Sequence, residues 1–141
     1  MHLKKKILII VTFLSISSLA KSEISYEKDF NETQFIIESQ IQAFLDENAE
    51  LAYSYAAPLI KMKFNNPLEF MSMVKNYYEP VYNPKQFYFI DARYFEGAIY
   101  HQLQVISQQD ESFLATYSLI QDGGKWKISG CAVYPMQKQS I

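Results

Sequence analysis

The chain has one cysteine, Cys131, in 141 residues, so no internal disulfide can hold it together. It has two histidines, His2 and His101. A zinc site needs three or four Cys or His ligands at close spacing, and these residues cannot supply one. Basic runs are missing beyond the first few residues. Thirteen Lys and Arg against fifteen Asp and Glu give a net charge of −2. Phosphate neutralisation needs clustered Lys or Arg, so nucleic acid is not an expected partner. The chain also lacks the polybasic patch that holds proteins to anionic membranes. Asp46-Glu47 and Asp110-Glu111 are the acidic pairs. They fall in turn-like stretches and read as solvated charges, not as a calcium site. There is no serine flanked by glycines, no glycine-rich phosphate loop, no internal repeat and no low-complexity linker. No metal and no cofactor is expected.

What is present begins with three zones at the N-terminus. Lys4, Lys5 and Lys6 follow His2 as a basic start. Ile7 to Leu14 is apolar except for Thr12, and Ser15 to Ala20 is a small-residue exit. Ser18-Leu19-Ala20 puts small side chains where signal peptidase requires them, so residues 1–20 read as a signal peptide cut after Ala20. The apolar stretch is shorter than the roughly 20 residues of a spanning helix, which argues against a lasting membrane anchor. No cysteine lies near the cut to accept a lipid. The expected location is periplasmic or secreted. Residues 21–32 read as a polar lead-in, 33–135 as one domain and 136–141 as a tail. Half the chain is apolar and 16% is aromatic, enough for one dense core.

Asn31-Glu32-Thr33-Gln34 predicts a helix start, with Ile37, Ile41, Phe44 and Leu45 as its buried stripe and Gln40 away from it. A second helix is expected over Leu51 to Ala57, ended by Pro58. Asn66-Pro67-Leu68-Glu69 combines a cap, a proline at the first helical position and a glutamate at the third. A wide apolar face follows, from Leu68 through Phe70, Met71, Met73 and Val74 to Tyr77 and Tyr78. From Gln86 the period becomes two. Strands are predicted at 86–95, 99–107, 112–120 and 125–134, joined by short turns such as Glu96-Gly97 and Asp122-Gly123-Gly124. Ile99, His101, Leu103 and Val105 share the inner face of the second, and Phe113, Ala115, Tyr117 and Leu119 that of the third. Trp126, Ile128, Gly130 and Ala132 share that of the fourth. Gly130 within a strand suggests a bulge or a close backbone approach. N-terminal helices packed on a curved antiparallel four-stranded meander make the fold class α+β.

Ile41-Gln42-Ala43-Phe44, Ala56-Ala57-Pro58, Phe70-Met71, Pro80-Val81-Tyr82 and Lys125-Trp126-Lys127-Ile128-Ser129-Gly130-Cys131 carry a resemblance. Over residues 33–135 the chain resembles the bacterial family called domain of unknown function 4864, and in element order the wider NTF2-like (SnoaL-like, cystatin-like) superfamily. The resemblance implies a cone, in which helices close a curved sheet whose mouth often holds a ligand. It implies no activity, because that superfamily includes isomerases, cyclases, dehydratases, binding modules and dimerisation domains.

His101 is the one polar residue expected on a strand's inner face, either as a core histidine or as part of a pocket. Tyr117 lies on the same face one strand over. Asp91 shares a face with Arg93 and reads as half of a surface ion pair; turned inward it would be an acid–base carboxylate. These three are the ligand-site candidates, and none is assigned a catalytic role. A His101–Cys131 dyad fails on distance. Two strand spacings are about 9–10 Å, whereas nucleophile and base need about 3 Å. Cys131 also falls on the outward alternation unless a bulge at Gly130 resets it, and reads as a packed thiol. The leading expectation is an exported, non-catalytic module that binds a small apolar or amphipathic ligand or a protein partner. The alternatives are an isomerase- or hydrolase-type enzyme using His101 or Asp91 as general base, and a subunit of a homodimer. The state of the cone discriminates, since ligand binding needs a hollow with polar tips.

Intact-mass measurement of exported material from the native host should give a chain that starts at Lys21. Retention of residues 1–20 would contradict the signal-peptide reading.

Overall fold

The computed structural model describes residues 13–138. Much of the proposed signal peptide, residues 1–12, lies outside the described residues. Helix α1 (Phe13–Leu45) is followed by α2 (Ala49–Ser54), α3 (Pro58–Lys61), α4 (Pro67–Tyr77) and α5 (Glu79–Tyr82). The chain then forms β1 (Gln86–Phe95), β2 (Ala98–Ile106), β3 (Ser112–Asp122) and β4 (Lys125–Pro135). The strands pair antiparallel in the order β1-β2-β3-β4. This is the α+β arrangement that the change of period from helical to two predicts. Gly97 and Gly124 take φ of 81° and 80° in the first and last turns, a conformation glycine adopts without strain.

Helix α1 does not start at Asn31. It runs through the segment expected to be a polar lead-in, and Asn31 is an exposed mid-helix residue. No proline or glycine interrupts Phe13–Leu45. The upstream turns are fixed by contacts that local patterning does not reveal, because Phe30 packs on the sheet and Thr33 is buried there. Gln34 bonds forward to Glu38 at 3.0 Å and caps nothing. The stripe holds at Ile37, Ile41 and Phe44, but Leu45 is exposed. Gln40, expected to face away, is 3% exposed and donates to the Ala52 carbonyl at 3.1 Å. The second helix, expected over Leu51 to Ala57, instead spans Ala49–Ser54 and stops before Pro58, which opens α3 at its first helical position. At α4 the expected start is found. The Asn66 side chain accepts from the Glu69 N–H at 3.0 Å, and the Glu69 carboxylate accepts from the Asn65 N–H at 3.1 Å. Its apolar face is narrower than the sequence suggests. Phe70, Met71 and Val74 are buried, whereas Leu68 and Tyr77 are 73% and 80% exposed.

Two apolar cores result. One lies between α1 and the sheet, around Ile37, Ile41, Ile99, Leu103, Tyr117 and Ile128. The other lies among the helices, around Phe44, Ala52, Phe70 and Val74. Tyr78 packs against both.

The sheet has two irregularities. In β1 the register shifts between Phe89 and Asp91, leaving Ile90 exposed. In β4 Ser118 pairs with Gly130 and Leu119 pairs with Ile128, so Ser129 is an extra residue. The extra residue reverses the alternation. Trp126 and Ile128 face the helices as expected, but beyond the bulge Cys131 and Val133 do so in place of Gly130 and Ala132. Opposite the bulge, the Ser118 and Ser129 hydroxyls are 2.9 Å apart, and a Cβ on Gly130 would stand 3.0 Å from Ser118 Oγ. Gly130→Ala should therefore strain the Ser118–Ser129 bond. In a double-mutant cycle its destabilisation should be smaller in a Ser118→Ala background, with a coupling of about 1 kcal/mol. Strict additivity in denaturant melts would show that the contact is not strained.

Candidate functional site

The reset register sets up a row across the sheet. Ala92 pairs with His101, His101 with Tyr117, and Tyr117 with Cys131. His101 and Cys131 are thus separated by a strand, with Tyr117 between them, and form no dyad.

His101 lies in this row between Ala92 and Tyr117. It is 2% exposed, with Phe89 edge-on at 5.5 Å between ring centroids and Phe30 at 6.4 Å. Its Nε2 lies 2.7 Å from Thr33 Oγ1 on α1. The Thr33 hydroxyl has one proton and two carbonyl neighbours, Asp29 O at 2.8 Å and Phe30 O at 3.1 Å. The proton goes to the main chain, so Nε2–H donates to Oγ1 and the ring is the neutral Nε2–H tautomer. Burial pulls the His101 pKa down to about 4, and the Asp91 carboxylate pulls weakly the other way. A partner on α1 was not expected from the strand pattern.

Asp91 is ion-paired with Arg93, Nε to Oδ2 at 2.7 Å, and pairs in register with Gln102 instead of His101. It lies on the outward alternation.

A cleft of about 300 Å³ opens where the two cores meet. Phe44, Phe70 and Val74 come to it from the helical core, and Val81, Tyr117 and Ile128 from the sheet core. The bulge supplies Ser129, Gly130 and Cys131. Of the three candidates read from the sequence, only Tyr117 reaches this cleft. The segment before α3 closes its sheet side. The Ala57 N–H donates to Ile128 O at 2.7 Å and the Ile128 N–H to Tyr55 O at 2.8 Å, so Tyr55–Ala57 lies along the β4 edge. Gln40 and Lys63 also line the cleft. Their spacing carries no recognisable signal, and only the helix packing brings them there.

Tyr117 forms the floor. It is 1% exposed, and its hydroxyl has no hydrogen-bond partner among the described residues. A buried hydroxyl left unpaired costs roughly 1–3 kcal/mol. The Cys131 thiol is a weak side-chain hydrogen-bonding neighbour of this hydroxyl, short of full hydrogen-bond geometry, and so satisfies it poorly. Burial raises the Tyr117 pKa well above the usual phenol value and pushes the Cys131 thiol up to about 12. Both are neutral at physiological pH, so the floor holds no thiolate nucleophile and no general base. Among the described residues no group of three His, Cys, Asp or Glu could hold a metal, and no helix is long and apolar enough to cross a membrane.

The family described as "Domain of unknown function (DUF4864)" matches residues 26–141. No curated protein matches the chain. The solved structure of Bdellovibrio bacteriovorus Bd1075 superposes with a TM-score of 0.54 over 82% of this chain, at 16% identity. This chain spans 43% of that one, and the likeness is one of fold.

The His101 environment has a pH signature. The unfolded chain takes up a proton below about pH 6.5, whereas the folded chain resists it until about pH 4. Stability should therefore fall as pH drops through that window, by up to about 1.4 kcal/mol per pH unit. His101→Gln keeps a donor near Thr33 and cannot titrate. Denaturant melts between pH 7 and 4.5 should be visibly flatter for the variant, and an identical slope would place the acid sensitivity elsewhere.

Proposed function

The chain belongs to the DUF4864 family, and from that starting point we propose that it is an exported, non-catalytic module of the NTF2-like cone type that binds a small amphipathic molecule in the cleft above Tyr117. The observation that carries this reading is the poorly satisfied Tyr117 hydroxyl at the floor of a hollow walled mainly by apolar side chains, with Gln40, Lys63 and Ser129 as its other polar groups. Apolar walls with a few polar groups at fixed points are the usual composition of a small-molecule site. A ligand hydroxyl or carbonyl at the floor would pair with the Tyr117 O–H and relieve its desolvation. The neutral phenol and thiol favour binding over chemistry. Neither His101, held against Thr33, nor Asp91, held against Arg93, lines the cleft as a general base would.

Export rests on the basic, apolar and small-residue zones of the first twenty residues. A cut after Ala20 would spare Phe30, Thr33, Ile37 and Ile41, which α1 packs on the sheet among the described residues. The cone-fold reading is supported by helices covering one face of a four-stranded meander with two bulges, which bend strands.

Tyr117→Phe separates the two roles of the hydroxyl. Without ligand, its removal should raise the melting temperature by about 4 °C, the equivalent of roughly 1 kcal/mol for a domain of this size. With 1-octanol as probe, the wild type should bind and melt higher, and the variant should bind about threefold more weakly, as for loss of one hydrogen bond. A variant that melts lower and binds octanol as well as the wild type would overturn the reading.

A further inference from the structure

We propose that the ligand of this cleft is an anion: an apolar body with a hydrogen-bonding group at one end and a carboxylate at the other, the carboxylate held at the mouth by Lys63. The inference rests on the cleft reading above and adds the charge of what is bound.

Among the described residues Lys63 is the only charged side chain lining the cleft, and no carboxylate lines it. That is unexpected in a chain with more acidic than basic residues. Lys63 is exposed and makes no ion pair among the described residues. It follows α3, whose Ile60 also lines the cleft. Further lysines lie on the side of β4. Lys127 is held below the usual lysine range, first by partial burial and then by the charges of Lys61 and Lys125, with Asp122 opposing. Its ammonium donates to the Ser54 carbonyl at 2.7 Å, just before the Tyr55–Ala57 segment that closes the cleft. Lys61 is directed elsewhere, over the Tyr53 ring at 5.2 Å, which leaves Lys63 as the cation that meets the ligand.

Apolar walls strengthen such a field. Phe64, Phe70 and Met73 line the cleft with Lys63, and a cleft with low-dielectric walls and one sign of charge in its lining concentrates the opposite sign. The same arrangement repels a cationic amphiphile. The two ends of the ligand are thus specified separately: a neutral hydrogen-bonding group for Tyr117 at the floor, and an anion for Lys63 at the rim.

A matched pair of probes tests this. 8-Hydroxyoctanoate and 1,8-octanediol have the same chain and the same terminal hydroxyl, and differ in the carboxylate. By calorimetry at low salt, the full-length protein should bind the hydroxy acid about fivefold more tightly than the diol, which is what a partly exposed charge contact supplies. Lys63→Gln should abolish that preference, so that acid and diol bind the variant with equal affinity. Raising the salt should shrink the preference in the wild type only. Equal binding of acid and diol to the wild type, or an undiminished preference in Lys63→Gln, would overturn the anion assignment and leave the cleft reading intact. Binding of neither probe would overturn both.

Discussion

The arrangement depends on one extra residue in a strand. Ser129, unpaired opposite the Ser118–Leu119 step, lets Ile128 and Cys131 both face the helices although three positions separate them. Without it the alternation would put Gly130 and Ala132 inside, and the sheet core would lose a sulfur and an isopropyl group beside Tyr117. The bulge also places Ile128 where its N–H and C=O can take Tyr55 and Ala57 as partners. That pairing anchors the start of α3, and α3 brings Ile60 and Lys63 to the cleft. Side wall and rim thus trace back to a single register slip.

The other end of the sheet is organised by polarity instead of register. His101 lies in an apolar layer, and its donor would be costly there unless paired. Thr33 on α1 pairs it, and the Thr33 proton is itself returned to the helix backbone. The bond fixes how far α1 can slide along the sheet, a specification that the surrounding Ile and Leu contacts cannot supply because apolar contacts are non-directional.

Much of the fold was legible in the sequence because the relevant signals are local. A period of two, broken by glycine turns, marks the four strands, and Asn66-Pro67 marks α4. The misplaced elements are those decided by tertiary contact. The upstream turns of α1 show no strong period and are fixed by Phe30 and Thr33 against the sheet. Gln40 looks solvent-facing until α2 arrives with the Ala52 carbonyl. The site was half legible. The inward direction of Tyr117 follows from alternation, and Gly130 hinted at the bulge. Which way Cys131 would turn could not be decided until the bulge was placed at Ser129. Lys63 was invisible, because a lone lysine in a loop has no pattern, and its position at the cleft exists only once α3 is tied to β4.

The first strand has its own consequence. β1 is a terminal strand of ten residues rich in Phe and Tyr, and such an edge can template a second copy of itself. Two features already described interrupt it. The slip at Ile90 breaks the regular spacing of hydrogen-bonding groups, and the Asp91–Arg93 ion pair follows directly. An approaching strand could match the ladder on one side of the slip or the other, not both, and would meet fixed charges where it crossed. The irregularity that turns Asp91 outward therefore also interrupts this aromatic edge as a template for a second strand.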